Sequence, residues 1–465
     1  MTSVDDAFSE SAGPAAGLLS GWGNTSPTAS RVLHPTDARQ LEADASRPAA
    51  RGVIARGLGR SYGDPAQNAG GLVVDTTAVG HIGPVDLERG VATAAAGTSI
   101  DALIAELVPR GWFVPVTPGT RQVTVGGAIA SDVHGKNHHL VGSWGNALES
   151  ITLATPAGGL EEVSPTVRPD LFWATVGGMG LTGIIVDATF RLHRIESSLL
   201  SVDTDRTPDL DTTLDLMESG DHAYDYSVAW IDLMAHGAHR GRSVLDRGRF
   251  ASADQLDGRH RADPLSFRSG TLATFPGPTP LNFVRPFTVR AFNEVWYRKA
   301  PRRRRDHLQS ISTFFHPLDM VDRWNRVYGR GGLLQWQCAV PLGATEELRR
   351  LVAELSDSGC PSFLAVLKRF GAANPGHLSF PIPGWTLAMD LPADPRSGSA
   401  ALLDRLDEQV VAAGGRLYLA KDSRMRPELL PAMYPRLDEW RAVRDAADPK
   451  GQLVSDQARR LGLVS

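Results

Sequence analysis

Two glycine-rich stretches, separated by about sixty residues of a 465-residue chain, constrain its fold more than any other feature. The first is Ala55-Arg56-Gly57-Leu58-Gly59-Arg60-Ser61-Tyr62-Gly63-Asp64. The second runs from Thr117 to Gly127 and includes Gly119, Thr120, Thr124, Val125, Gly126 and Gly127. The first follows an apolar run, Gly52-Val53-Ile54-Ala55, which predicts a strand and then a turn where glycine lets the backbone approach a ligand closely. Successive N–H groups of such a turn can bind an anion such as pyrophosphate. Taken alone, the stretch is equally well a plain structural turn. The second stretch shifts the reading towards a dinucleotide cradle. Its small residues continue through Thr124-Val125-Gly126-Gly127-Ala128, as at a helix N-terminus packed close beneath phosphates.

A nicotinamide-binding turn is the competing reading. Gly57-Leu58-Gly59 begins like G-x-G-x-x-G, but the third glycine, Gly63, falls one position late. Asp64-Pro65 then stands where the helix should start. Downstream, Ser131-Asp132-Val133-His134 leads into Lys136, His138 and His139. With no cysteine partner and no His-Glu-x-x-His pattern, these histidines suit the polar lining of a cofactor ring better than a zinc site, and no metal is expected. A third cluster, Phe172 to Ile185 with Gly178 and Gly183, reads by itself as a tight bend leading into a core strand.

The chain is longer than one core usually holds, which predicts two domains. Hydrophobic residues at 42% and charged residues at 22% describe an ordinary globular protein. The net charge of −4 gives no electrostatic case for nucleic acid. Cys338 and Cys360 lie in no ligand cluster, so no disulfide framework is expected. The first twenty residues lack a basic start and an apolar core, and no apolar run is long enough to span a bilayer. The expectation is no signal peptide, no membrane span and a cytoplasmic placement.

Residues 1–19 are expected to be flexible. Residues 20–196 alternate short β-like runs (Val53-Ile54, Leu72 to Asp75, Ile151 to Ala154) with helical patterns such as Ser99 to Leu107, giving an α+β domain that carries all three glycine clusters. Residues 197–412 are richer in aromatics and read as a sheet-based substrate domain. Between 236 and 290 the chain is polar and turn-rich, including Pro276-Gly277-Pro278-Thr279-Pro280, and predicts a long loop over a substrate mouth. The basic run Arg302-Arg303-Arg304-Arg305 reads as a solvated face, with contact to anionic lipid as the functional alternative.

In sequence order, ARGLGRSYGD (55–64), PGTRQVTVGGAIASDVHGKNHH (118–139) and LFWATVGGMGLTGII (171–185) resemble the vanillyl-alcohol oxidase and p-cresol methylhydroxylase (PCMH) type of FAD-binding proteins. Four further runs narrow the resemblance to the branch that oxidises decaprenylphosphoryl ribose: FFHPLDM (314–320), LSFPIPGW (378–385), GGRLYLAKDSR (414–424) and AMYPRLDEW (432–440). The resemblance implies a two-domain α+β fold with a sheet-based cap, and a tail, 413–465, that returns to the FAD domain. It implies oxidation of the 2-hydroxyl of decaprenylphosphoryl-β-D-ribofuranose to the 2-keto sugar, with hydride passing to flavin N5. That is the first half of an epimerisation supplying the arabinose donor for cell-wall arabinan. A separate NAD(P)H-dependent keto-reductase would complete it. A quinone-like electron acceptor, peripheral membrane contact and an envelope-associated or periplasmic placement are implied in the same way.

By resemblance, Lys421 is the proton acceptor and substrate anchor, a role suited to a desolvated lysine; from residues alone it is a surface lysine beside Asp422. His134 would lie beside the isoalloxazine, and Lys136, Gln335, Gln337 and Lys368 would bind substrate. Tyr62 and Tyr418 would contact the cofactor, although either also suits a core position. Arg60 stands where several relatives carry a flavin-linking histidine, so FAD should be held non-covalently. Two substrate-pocket positions depart from relatives. Ala388 replaces a cysteine that nitroaromatic inhibitors modify, and Phe315 replaces a tyrosine. A soluble-sugar enzyme of the same superfamily, an alditol or aldonolactone oxidase, is the alternative activity.

Overall fold

A computed structural model describes residues 15–277, 282–394 and 398–464. Residues 1–14 of the expected flexible terminus and Pro278-Thr279-Pro280 of the expected long loop lie outside the described residues.

Among the described residues, three larger sheets and two short strand pairs build the molecule. The first joins β1 (Ala15–Leu19), β2 (Thr28–Leu33), β3 (Val53–Arg56) and β4 (Leu72–Asp75) in the order β1-β2-β4-β3, with β4 parallel to both its neighbours. The second is antiparallel, β5-β6-β10-β8-β9, from β5 (Ile82–Asp86), β6 (Val91–Ala95), β8 (Leu148–Thr155), β9 (Gly159–Val163) and β10 (Ile184–Arg191). A short pair, β7 (Trp112–Phe113) with β11 (His193–Arg194), lies beside it. Against the second sheet packs helix Ile100–Leu107. Ser99 caps this helix, its Oγ accepting the Ala102 N–H at 3.0 Å, and Ile100, Leu103, Ile104 and Leu107 are buried at i, i+3, i+4, i+7 spacing.

The third sheet has eight strands, in the order β16-β12-β14-β13-β19-β20-β18-β21. They are β12 (Leu199–Thr207), β13 (Tyr226–Ile231), β14 (Ser243–Phe250), β16 (Arg303–Ser310), β18 (Leu333–Pro341), β19 (Ala365–Phe370), β20 (Gly384–Pro392) and β21 (Arg416–Leu417). A small parallel pair, β15 (Ala273–Thr274) with β17 (Val321–Asp322), stands apart. Period-two alternation divides the central strands into two faces. Trp336, Cys338, Val340, Leu367, Leu387 and Met389 join the core formed with helices Thr345–Ser358 and Ser399–Ala412. Gln335, Gln337, Val366, Lys368, Thr386, Ala388 and Asp390 occupy the opposite face.

The last fifty residues are stitched to the first sheet. The Val53 N–H donates to Gln452 O at 2.7 Å, and the Val454 N–H donates to Val53 O at 2.9 Å. Arg460 donates to both carboxylate oxygens of Asp64, at 2.7 and 3.0 Å, and to Asp422 at 2.9 Å. One guanidinium thus fastens the first glycine loop and the Lys421 segment to the final helix.

The stretch from 236 to 290 differs from the expected long loop. It contains β14 in the interior of the large sheet and the start of helix Pro286–Lys299. Polar residues disguised β14 because they find partners inside the fold: Arg247 pairs with Asp205 at 3.0 Å, and Asp246 accepts from the Thr204 hydroxyl at 2.5 Å. The arginine run enters edge strand β16, a position that tolerates charge, with Arg305 bonded to Asp205 at 2.6 Å.

Replacing Arg460 by Ala leaves two carboxylates without their shared partner. Since this arginine is one-quarter exposed, the expected loss is about 2 kcal/mol, below the range for a fully buried pair, and is read by chemical denaturation.

Candidate active site

The first glycine loop leaves β3 and bends at Gly59, where φ is +64°. Its backbone is pinned at the far end, where the Tyr62 N–H donates to Ala420 O at 3.1 Å. A Cβ on Gly63 would lie 2.0 Å from the carbonyl oxygen of Asp422, so only glycine permits this approach. Arg56 braces the loop from within by donating to Ser20 O at 2.7 Å and to Ala66 O at 3.0 Å. The N–H groups of Leu58, Gly59, Arg60 and Ser61 donate to nothing among the described residues. They form the open run of donors that a pyrophosphate requires.

The second loop meets the first directly, since a Cβ on Gly57 would fall 2.2 Å from Thr124 Oγ1. The expected helix is present over Val125–Ala130, but its leading amides are already engaged. Val125 N–H donates to Thr98 O, Gly126 N–H to Ala96 O, and Gly127 N–H to Thr124 Oγ1. The helix therefore buttresses the cradle, while the N–H groups of Gly119, Thr120 and Thr124 ahead of it, like those of the first loop, donate to nothing among the described residues. Gly119 faces open space at its Cβ position, and beside it Thr120 Oγ1 donates to Asp319 at 2.7 Å. The third cluster backs the helix, with Gly177 N–H bonded to Ile129 O and Met179 N–H to Ala130 O.

Opposite these loops stands the polar face of the large sheet. Gln335 pairs across with Asp390, Gln337 with Ala388, and Lys368 with Thr386. Gln337 Nε2 donates to Thr386 Oγ1 at 3.1 Å and lies 3.0 Å from His134 Nε2. With the amide nitrogen toward the ring, His134 Nε2 accepts and the proton resides on Nδ1, which is buried without a partner. Burial, reinforced by Lys368, holds the His134 pKa well below its ordinary value, so the ring is neutral. It packs against Phe370, Phe380 and Tyr418, whose hydroxyl donates to Ser131 O at 2.7 Å.

Lys421 places its Nζ 4.3 Å from the centre of the Tyr62 ring. Desolvation lowers its pKa, while the nearby Asp390 carboxylate opposes that fall. Asp390 is itself fully buried. It accepts from Gln335 Nε2, keeps Oδ2 unpartnered, and has its pKa pushed up by desolvation. Lys368 is pushed down to about 7 by burial and by Lys136 and Lys421. Lys136 is pushed down to about 8 by burial, with its Nζ bonded to Phe314 O and 4.3 Å from the Phe314 ring centre. Three lysines with weakened hold on their protons thus surround one polar surface.

Other expected residues lie behind this surface. Asp132 is the hub of a buried knot, accepting from Ser143, Gly145, Asn374 and Ser379. Asp64 belongs to the Arg460 clamp. Gly178 and Gly183 permit close packing on Ala174 and Leu153, and Ile185 is buried in β10. Val133 supports the bend by accepting from Trp144 N–H. Phe315 stacks on Phe113 with ring centres 5.3 Å apart, and it backs Lys136 from within the core. Arg60 covers Trp22 at 3.9 Å. Asp390 and Thr386 were not anticipated, although an acid inside the otherwise apolar run Leu387-Ala388-Met389-Asp390-Leu391 was a visible signal.

The residues fit a flavin dinucleotide: unclaimed amides at one end, and unpartnered His134 Nδ1 and Asp390 Oδ2 at the other. At position 60 an arginine offers no atom for a flavin bond. On the sheet, Cys338 pairs with Leu387 and faces away from Ala388, with burial pushing its thiol up to about 12. Intact-mass measurement of the denatured holoenzyme should therefore give the polypeptide mass alone, both as purified and after exposure to a nitroaromatic inhibitor.

Comparison with known proteins agrees with this geometry. Residues 29–164 match the FAD binding domain family, and residues 389–461 match the D-arabinono-1,4-lactone oxidase family. The chain is 46% identical to a decaprenylphosphoryl-β-D-ribose oxidase of Mycolicibacterium smegmatis, over 96% of this chain and 97% of that protein. An uncharacterised Streptomyces coelicolor protein is 44% identical over 77% of this chain and 99% of its own length. An L-gulono-1,4-lactone dehydrogenase of Mycobacterium tuberculosis is 24% identical over 93% of this chain and 96% of its own. With a cradle suited to FAD and near-full-length identity of this order, the chain belongs to the decaprenylphosphoryl-β-D-ribose oxidase family of FAD-dependent oxidoreductases.

Proposed function

We propose that this enzyme oxidises the 2-hydroxyl of decaprenylphosphoryl-β-D-ribofuranose to the 2-keto sugar, the first half of an epimerisation to the arabinose form. The observation that carries the proposal is the convergence of Lys421, His134, Gln335, Gln337, Lys368 and Asp390 on one surface opposite the glycine loops. A chain division at 20–196, 197–412 and 413–465 follows the sheets with two exceptions: β1 puts residues 15–19 of the expected flexible terminus into the first sheet, and β21 adds two tail residues to the large sheet.

When bound, the flavin supplies a hydride acceptor for the alcohol carbon. The protein's residues handle the proton and the position. Lys421, desolvated against Tyr62, is the group that takes the hydroxyl proton as neutral amine. Asp390 tunes it, because a carboxylate nearby favours the ammonium. Neutral His134, its tautomer set by Gln337, offers Nδ1–H as a donor. Gln335 and Gln337 present amides suited to sugar hydroxyls. Lys368 and Lys136 supply positive potential for the substrate phosphate, and an anion brought near them favours their protonated forms. The 2-keto product is suited to a separate NAD(P)H-dependent keto-reductase, and a quinone-like acceptor would withdraw the electrons.

Anaerobic mixing with decaprenylphosphoryl ribose should bleach the flavin's visible absorbance, whereas D-arabinono-1,4-lactone and L-gulono-1,4-lactone should not. Bleaching by the lactones alone would reject the proposal. Lys421→Ala should lower the bleaching rate by roughly 100-fold or more.

The rate should climb with pH as Lys421 loses its proton. Asp390→Asn removes the charge that favours the ammonium, so the ascending limb should move to lower pH. A limb that stays in place, or moves to higher pH, separates Asp390 from the proton acceptor.

A further inference from the structure

We propose that helix Pro286–Lys299 and the arginines that follow it form a docking surface for a bilayer carrying anionic headgroups. The helix is a firmly seated element. Its inner face places Val289 in a cluster with Tyr62, Tyr328 and Leu333, and Asn293 Nδ2 donates to Asp232 at 2.7 Å. Glu294 meets Arg242 at 2.6 Å. The seated face accounts for half of the helix only.

The outer face carries side chains that a water-facing helix does not need. Phe287 is 82% exposed, Val295 67% and Trp296 45%, and the Phe292 and Trp296 rings stack 6.0 Å apart. Phe287, Ala291 and Val295 follow one another at i+4 spacing, as do Phe292 and Trp296, so these residues form one stripe. Phe283, 49% exposed, extends it beyond the helix start. A contiguous apolar face of this kind marks an interaction site.

Charge decides which partner fits. Residues 285–305 contain eight basic residues and one acidic residue, in a chain whose net charge is −4. The acid, Glu294, is already paired with Arg242 and Arg298. Arg290, Lys299, Arg302, Arg303 and Arg304 are exposed and make no ion pair with described residues. An aromatic stripe bordered by unpaired cations matches the boundary between acyl chains and anionic headgroups, where rings insert and basic side chains meet phosphate. A second copy of this chain would bring equally basic surface against it. The inference rests on the proposed reaction in one respect: a polyprenyl-phosphate substrate resides in a bilayer, and this face lies directly outside the cluster containing Tyr62.

Flotation of the FAD-loaded protein with vesicles of phosphatidylcholine, alone or mixed with phosphatidylglycerol, tests the proposal. Binding is expected to the mixed vesicles. It should weaken at least roughly tenfold in a Phe287→Ser, Val295→Ser variant, and at least roughly fivefold per reversed charge in an Arg302→Glu, Arg303→Glu variant. Both variants should keep their flavin and still bleach with a detergent-solubilised polyprenyl-phosphoryl ribose. The proposal is overturned if the parent protein ignores the mixed vesicles, or if the variants float as it does. A concentration-dependent dimer that the Phe287→Ser, Val295→Ser change abolishes, without vesicle binding, would assign the face to a second copy. Vesicle binding without substrate bleaching would uphold the docking surface while rejecting the proposed reaction, so the two fail separately.

Discussion

Backbone against backbone, at Gly63 and Asp422, is the contact on which the remaining architecture depends. No side chain can intervene there, and Arg460 locks the junction by holding carboxylates on both sides of it. The chain therefore brings a loop near residue 60 and a segment near residue 420 into fixed relation. Lys421 extends from the pinned segment towards Tyr62, which extends from the pinned loop. The proposed chemistry needs both ends of the sequence.

The large sheet contributes a different constraint. Its central strands bury one apolar face beneath two helices and turn a polar face inward, where Gln335, Gln337, Thr386 and Asp390 have few alternatives to bonding one another. Burying lysines and an aspartate this way is costly unless their charges are relieved. The direction of every shift reflects that strain: the lysines are pushed down and the carboxyl up. A polar substrate or cofactor edge would complete bonds that the protein leaves unfinished.

Much of the fold was legible where local signals were strong. The runs at Val53, Leu72 and Ile151 are strands, and the Ser99-capped pattern is a helix, because turn chemistry and periodicity act over a few residues. Motif order carried the family assignment. Tertiary pairing hid the rest: β14 looks like loop because Arg247 and Asp246 find partners only in the finished sheet. The Val125–Ala130 helix was correctly anticipated, yet its amides are engaged by Ala96, Thr98 and Thr124, partners that spacing alone does not reveal. Asp390 showed only as an acid among apolar neighbours, and its meaning comes from Gln335 and Lys421, each distant in sequence.

Tyr62 participates in two assemblies. Its ring lies against the amine of Lys421, and it also belongs to the aromatic cluster on which helix Pro286–Lys299 is seated. A single side chain thereby joins the amphipathic helix to the buried amine of Lys421. Displacing that helix would alter the surroundings of the amine, so the molecule's outer boundary and the proposed proton acceptor share one mechanical linkage.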